Sequence, residues 1–125
     1  MKKVISTTKA PSAIGPYSQA IQTGNMIFTS GQVAINPESG ELVMDSIQTE
    51  THQVMKNLSA VLAEAGTDFS KVVKTSIFLK NMDDFANVNE IYASYFSSDF
   101  PARETVQVAK LPKDVNVEIS MIAVV

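Results

Sequence analysis

The chain of 125 residues contains no cysteine, no tryptophan, one histidine and one arginine. Without cysteine it can form neither disulfides nor thiolate metal sites, and a thiol nucleophile is excluded. With a single histidine, a zinc site would need mostly carboxylate ligands, and no clustered spacing supports one. No nucleophile has a histidine beside it, so a Ser-His-Asp triad is not expected. Phosphate-binding loops and dinucleotide fingerprints do not occur either.

Long apolar runs are also missing, since no stretch approaches the roughly 18 apolar residues of a membrane span. The segment Met1–Thr8 has two lysines but no apolar region behind them, so we expect a cytoplasmic protein without a membrane partner. Ten Lys and Arg residues against thirteen Asp and Glu give a net charge of -3. The positive residues are scattered, which argues against a nucleic-acid partner.

What the chain does contain, 45% apolar residues, is enough to build the core of one domain that spans residues 1–125. Residues 17–31 predict a β-hairpin, because two strand-like runs, Tyr17–Thr23 and Met26–Ser30, flank a Gly-Asn pair that accepts positive φ. Apolar residues from Ile47 to Ala65 recur with a helical period, and Gly66 follows at the position of a helix-ending glycine. This pattern predicts an amphipathic helix.

The second half of the chain predicts one further helix and three further strands. Val72–Leu79 is rich in β-branched and aromatic residues, as in a central strand covered on both faces. Asn81 can cap a second helix, and Arg103–Val108 and Val115–Val124 are strand-like. With a third strand before the first helix, to which no bounds are assigned, the order β-β-β-α-β-α-β-β predicts an α+β fold in which two helices cover one face of a six-stranded mixed sheet. Self-association would cover the other face.

Arg103, the only arginine, follows Pro101 at the start of a predicted strand. Alternation places Arg103, Thr105 and Gln107 on one side of that strand, so Arg103 has polar neighbours. A guanidinium binds a carboxylate with two parallel hydrogen bonds and stays charged, which suits small keto, imino or amino acids. A solvated surface arginine is the more common situation, and the residues alone do not exclude it.

Glu118 is a lone carboxylate within an apolar terminal strand, where it alternates with Val117 and Ile119. In a dry cleft its pKa would rise, which suits a group that positions water and moves a proton near neutrality. An exposed edge-strand glutamate that discourages aggregation is the alternative.

Four other residues are candidates for lining a cleft. Tyr17 follows a Gly-Pro turn, and Ser30-Gly31 ends the hairpin where a glycine allows close approach of a ligand. Asn89 lies at the edge of the apolar stripe of the second helix. On the residues alone, Tyr17 and Asn89 are more often core residues with satisfied hydrogen bonds.

Six motifs, in order and at characteristic spacing, show that the chain resembles the RidA (YjgF, reactive intermediate deaminase) family over essentially its whole length. They are Ala13-Ile14-Gly15-Pro16-Tyr17-Ser18-Gln19-Ala20, Ser30-Gly31-Gln32, Val88-Asn89-Glu90-Ile91-Tyr92, Pro101-Ala102-Arg103, Leu111-Pro112-Lys113-Asp114 and Val117-Glu118-Ile119. The resemblance implies a chorismate-mutase-like fold, a homotrimer with a cleft at each subunit interface, and no metal or organic cofactor.

The resemblance also implies an activity, the hydrolysis of 2-iminobutanoate and 2-iminopropanoate to 2-oxo acids and ammonia. These imines are products of PLP-dependent dehydratases. Arg103 matches the residue that holds the substrate carboxylate, and Glu118 matches the one that orients the attacking water. Tyr17, Ser30, Gly31 and Asn89 match residues that line the cleft, and Thr105 matches a position whose backbone contacts the ligand.

Two positions depart from the common family pattern. Thr105 stands where Cys or Ser is frequent, and Ser120 replaces a second acidic residue, which would lower the pKa of Glu118. An alternative is a regulatory module that senses keto or amino acids in the same cleft without turnover. A ribonuclease activity has also been attached to the family, but the acidic balance of this chain argues against it.

Overall fold

The computed structural model describes residues 1–125, which form one six-stranded sheet and two α-helices. The strands are β1 (Lys2–Ile5), β2 (Ala20–Thr23), β3 (Met26–Thr29), β4 (Val72–Leu79), β5 (Ala102–Gln107) and β6 (Val117–Val124). The helices are α1 (Ile47–Glu64) and α2 (Phe85–Ala93). The predicted order of strands and helices is confirmed.

The spatial order of the strands is β1-β2-β3-β6-β4-β5. The β4–β5 pair is parallel and the other neighbours are antiparallel, so the sheet is mixed, as predicted. The last strand of the chain is inserted between β3 and β4. As predicted, β4 is an internal strand.

The first helix begins and ends where the sequence predicts. The Ser46 hydroxyl oxygen accepts a hydrogen bond from the Thr49 backbone N–H, which caps the N-terminus. At the other end, Gly66 has φ +81°, a conformation that costs little only for glycine. The predicted cap at Asn81 serves a short 3-10 turn, Met82–Asp84, which then leads into α2.

The hairpin strands are shorter than predicted. β2 begins at Ala20 and β3 ends at Thr29, so Tyr17 and Ser30 lie in the loops that flank the hairpin. The loop before β2 is held by Gln19, whose buried side chain accepts from the Thr7 N–H and donates to the Pro11 carbonyl. A backbone hydrogen bond from the Ser30 N–H to the Gln19 carbonyl continues the pairing beyond Ala20, and the side-chain hydrogen bonds of Gln19 hold the loop before it.

The two faces of the sheet differ, because the helices pack against only one of them. In β6, Val117, Ile119, Met121 and Ala123 are buried in one apolar core with residues of both helices. The residues between them point to the opposite side, because side chains alternate along a strand. We call the covered side the helix face, and the side that carries Phe28, Phe78, Glu118 and Ile122 the open face.

Strand β4 shows the same difference between its two faces. Thr75, Ile77 and Leu79 are buried on the helix face, whereas Ser76 and Phe78, on the open face, are only partly buried. The prediction that both faces of this strand are covered therefore holds for one face only within a single chain.

Candidate active site

Arg103 lies on β5, an edge strand, opposite Thr75 of β4, and its side chain points to the helix face. Its Cζ atom is 5.5 Å from the centroid of the Phe85 ring and 5.2 Å from that of Tyr92. Its Nη1 donates a hydrogen bond of 2.6 Å to Oδ1 of Asn89. The guanidinium is thus oriented by cation–π contacts and one strong hydrogen bond. Its neighbours are more aromatic than strand alternation alone predicts.

The supporting residues come from one stripe of α2. Phe85, Asn89 and Tyr92 are spaced i, i+4 and i+7, so they lie on the same side of the helix. Tyr92 is fixed in turn, because its hydroxyl donates a 3.0 Å hydrogen bond to the buried Oγ1 of Thr75. Phe85 and Tyr92 belong to the apolar stripe of α2, and sequence periodicity did not predict this role. The sequence signal that could have indicated it is Asn89, a polar residue between two aromatic residues on an otherwise apolar stripe.

Burial raises the pKa of the Tyr92 phenol, while the hydrogen bond with Thr75 and the charge of Arg103 act in the opposite direction. Because burial is the largest of these effects, the phenol stays protonated at neutral pH. It therefore supports Arg103 as a neutral ring and does not compete with a substrate for its positive charge.

Arg103 borders a cavity of about 420 Å³ that lies beside α2 and the loop before β5. The lining residues are Asn89, Tyr92, Ala93, Phe100, Pro101 and Arg103. This volume holds a small keto or imino acid, with one cation for its carboxylate and apolar walls for its side chain. Thr105 lies two residues along β5 on the same face, and its buried hydroxyl has no hydrogen-bond partner within the chain.

Glu118 lies on the open face of β6, where Phe78 of β4 is its cross-strand partner. It is half-buried, and burial raises the pKa of its carboxyl above the ordinary value of 4.5. The shift has the direction that the sequence predicted for a carboxylate in a dry cleft, although Ser120 brings no second acid. A carboxyl of this kind can take up and release a proton closer to neutral pH.

Three more predicted residues lie on the same side as Glu118 or at the loops beside it. The carboxyl group of Glu118 lies against the backbone of Gly31. Ser30 donates its hydroxyl to the Ser18 carbonyl at 2.6 Å, which joins the two hairpin loops. Tyr17, in the first of those loops, is 52% exposed. Its ring is therefore available for contact beyond the chain.

The predicted residues thus form two groups within one chain. Asn89, Arg103 and Thr105 belong to the helix face, whereas Glu118, with Gly31 beside it, belongs to the open face. Arg103 aligns with Thr75, while Glu118 aligns with Phe78, three residues further along β4 and on its other side. One subunit therefore does not bring the guanidinium and the carboxylate together.

Other kinds of site receive no support from the side chains. No group of three or more His, Cys, Asp or Glu residues is placed to hold a metal ion. Neither helix has the length and apolar character needed to cross a membrane.

Comparison with known proteins places the chain among close relatives. The profile of the endoribonuclease L-PSP family matches residues 7–125. A mouse protein named 2-iminobutanoate/2-iminopropanoate deaminase is 54% identical over 124 residues, which are 99% of this chain and 92% of that protein. A Lactococcus lactis protein that carries the name of a regulator, AldR, is 53% identical over 97% of this chain and 96% of its own length.

Solved structures with a similar degree of sequence identity share the fold. The crystal structure of YyfA from Yersinia pestis, a protein of the conserved Rid family, has a TM-score of 0.98 and 53% identity, and each chain covers 100% of the other. Both the sequence profile and the structure agree with the family that the sequence motifs indicate. The chain therefore belongs to the endoribonuclease L-PSP family, which is the RidA/YjgF family that these motifs resemble.

Proposed function

We propose that this protein is a cofactor-independent deaminase that hydrolyses 2-iminobutanoate and 2-iminopropanoate to 2-oxobutanoate and pyruvate, with release of ammonia. The observation that carries the proposal is the Arg103 guanidinium, oriented by two aromatic rings and Asn89 at the wall of a cavity of about 420 Å³. A relative that is 54% identical is named for this reaction. A lone oriented cation fits a substrate with one carboxylate better than it fits a polyanion such as RNA.

In the proposed mechanism, Arg103 binds the substrate carboxylate with two parallel hydrogen bonds, which leaves C2 of the protonated imine facing the second group of residues. Glu118 takes a proton from water as the water oxygen bonds to C2. The carbinolamine formed receives that proton on nitrogen. The C–N bond then breaks and ammonia leaves as the carbonyl forms, while Glu118 takes the proton of the carbinolamine hydroxyl and returns it to solvent. Positioning and one proton relay are sufficient for this chemistry.

The remaining predicted residues complete the proposed cleft. Asn89 holds Arg103, while Tyr17, Ser30 and Gly31 line the side that carries Glu118. Thr105 contributes its backbone, so a threonine in place of Cys or Ser is compatible with activity. This assignment rests on the position of each residue in the family motifs and on the two groups described above.

The same geometry supports assembly into a chorismate-mutase-like homotrimer. Because Arg103 and Glu118 lie on opposite faces of one sheet, a complete site requires the Arg103 group of one subunit and the Glu118 group of another. The open face also carries an apolar row across four strands, Val4, Ile21, Phe28 and Ile122, which pair in register. In the single chain, Val4 is 57% and Phe28 41% exposed, and burial between subunits would stabilise the assembly.

A sensor of keto or amino acids is the second candidate, because one relative of 53% identity bears the name of a regulator. Such a protein would use Arg103 in the same way but would not need a proton relay. The two functions therefore differ in turnover and not in ligand binding.

The test is a coupled reaction in which a PLP-dependent threonine dehydratase supplies the imine and ammonia release is followed over time. We expect the protein to accelerate loss of the imine. Arg103→Ala should lower kcat/KM by about 100-fold or more, because two charge-assisted hydrogen bonds are lost. Lys56→Ala, which removes an exposed cation of α1, is the matched control and should leave the rate unchanged.

Two results would count against the proposal. If the wild-type protein binds 2-oxobutanoate without accelerating imine loss, the sensor is the correct function. If Arg103→Ala keeps full activity in an intact assembly, the carboxylate is held elsewhere.

A further inference from the structure

The chain has five glycines, and four of them have a backbone conformation that favours glycine. Gly15, Gly24, Gly40 and Gly66 have φ between +57° and +115°, and a Cβ atom on any of them would meet nothing within 4 Å. Gly31 is the exception in both respects. Its φ lies outside the left-handed region, so backbone strain does not explain the absence of a side chain.

The glycine is explained instead by the lack of room for a side chain at this position. A Cβ atom built on Gly31 would lie 2.7 Å from Cδ and 3.0 Å from Cγ of Glu118, and closer still to Oε2. Carbon atoms in van der Waals contact are about 3.5–4.0 Å apart. The Glu118 carboxyl therefore occupies the position that any other residue at 31 would fill with its side chain.

The backbone on both sides of Gly31 is held in place. Ser30 donates its N–H to the Gln19 carbonyl at 2.9 Å. Gln32 and Ile119 exchange two backbone hydrogen bonds of 2.8 and 3.1 Å, which join this segment to β6 next to Glu118. A methyl group at position 31 would consequently move the flexible end of Glu118 before it moved the strand.

We propose that Gly31 is a positioning residue for Glu118: it leaves the space in which the carboxyl is held over the backbone of the hairpin loop. This role rests on the proposed imine hydrolysis and goes beyond the lining of a cleft, because it acts through the carboxylate and not through contact with the substrate. Residue 31 thereby determines where the proton acceptor stands.

The surroundings of Glu118 favour a steric effect over an electrostatic one. Its cross-strand partner Phe78 is apolar, and the backbone of Gly31 carries no charge. The charged residues on this side of β4 and β5 and just beyond β4 are paired: Lys74 with Glu104 at 2.9 Å, and Lys80 with Asp114 at 3.2 Å. None of them lies opposite Glu118 in the strand register.

The decisive measurement is the pKa of the Glu118 carboxyl by carbon NMR in the wild-type protein and in Gly31→Ala, with Glu118→Gln to assign the signal. We expect the added methyl to displace the carboxyl towards water, so that its pKa falls towards the ordinary value. This readout needs no turnover and remains informative even if the protein proves not to be a deaminase. An unchanged pKa and an unchanged chemical shift would overturn the inference.

Kinetics provide the second measurement. Gly31→Ala should lower kcat by about tenfold or more, since proton transfer typically contributes 10²–10⁴-fold, while KM changes by less than about twofold because Arg103 is untouched. In the Glu118→Gln background the same substitution should have no further effect on kcat. Additive losses would show that Gly31 acts on the substrate directly and would contradict the proposal.

Two further variants keep the test conclusive. Gly24→Asn adds a side chain in open space at the hairpin turn, where asparagine tolerates positive φ, and should change neither the pKa of Glu118 nor kcat. If Gly31→Ala is too unstable to study, it should become tolerated in a Glu118→Ala chain, which lacks the Cγ and the carboxyl that the added methyl would meet. Equal destabilisation in both backgrounds would refute the steric argument.

Discussion

Glu118 shows how one residue couples function to stability. Its half-buried carboxyl has a raised pKa, so over the pH range between the unfolded and folded values the folded chain binds a proton that the unfolded chain does not. Stability conferred by this group is present at acidic pH and is lost as the pH rises through the folded pKa. At neutral pH the ionised carboxylate, which the proposed proton transfer requires, therefore costs folding free energy.

Replacing this carboxylate should stabilise the protein while it lowers turnover by about 10²–10⁴-fold. We expect Glu118→Gln to raise the melting temperature at neutral pH by a few degrees, on the order of 1–5 °C, because an uncharged amide is less costly to bury. The difference should disappear at a pH below both pKa values of Glu118. Thermal melts across this range, with the exposed Glu38→Gln as control, measure the effect; a variant less stable at neutral pH would contradict it.

At the same scale, strand alternation was sufficient to place Arg103 and Thr105 on one side of β5. It also placed Glu118 on the side of β6 that faces away from Val117 and Ile119. It could not predict that the Arg103 side faces a helix, because that depends on how the crossover through α2 packs. The aromatic support of Arg103 by Phe85 and Tyr92 is a tertiary contact, and periodicity within one element contains no information about it.

The helices and strands were predicted most accurately where local chemistry determines their ends. Gly66 ends α1 as the sequence predicts, and Asn81 starts a helical turn. Glu50 was not predictable in the same way. A glutamate in the first helical turn is ordinarily exposed, yet Glu50 is fully buried and accepts hydrogen bonds from the backbone N–H and the side-chain amide of Asn116, at 2.9 and 2.8 Å. Its partner lies 66 residues away in the sequence.

This interaction joins α1 to the segment that precedes β6, so its loss should destabilise the whole fold. We expect Glu50→Ala to lower the free energy of unfolding by about 3 kcal/mol, because two partly buried donors of Asn116 lose their acceptors and a cavity replaces the buried side chain. Gln48→Ala, at an exposed position of the same turn, should change it by less than about 0.5 kcal/mol. Denaturant unfolding compares the two; similar small values would mean that water replaces the carboxylate at no cost.

At the scale of the molecule, composition and element order predicted one mixed sheet with two helices on one face, and the need to cover the other face. The order of the strands in space could not be predicted, because no local sequence pattern indicates that β6 inserts between β3 and β4. That insertion positions the site, since it brings Glu118 of β6 beside Phe78 of β4 and beside the loop that contains Gly31.

The location of Arg103 and Glu118 on opposite faces of the sheet has a consequence that can be observed by mixing two defective proteins. In the proposed homotrimer, Arg103→Ala and Glu118→Gln chains, each with little activity by itself, should complement one another when they are unfolded together and refolded. In an equal mixture about a quarter of the interfaces would join an intact guanidinium to an intact carboxylate, so about a quarter of wild-type activity should return. Separately refolded proteins combined afterwards are the control. If the mixture stays inactive, both residues serve a site within the same chain.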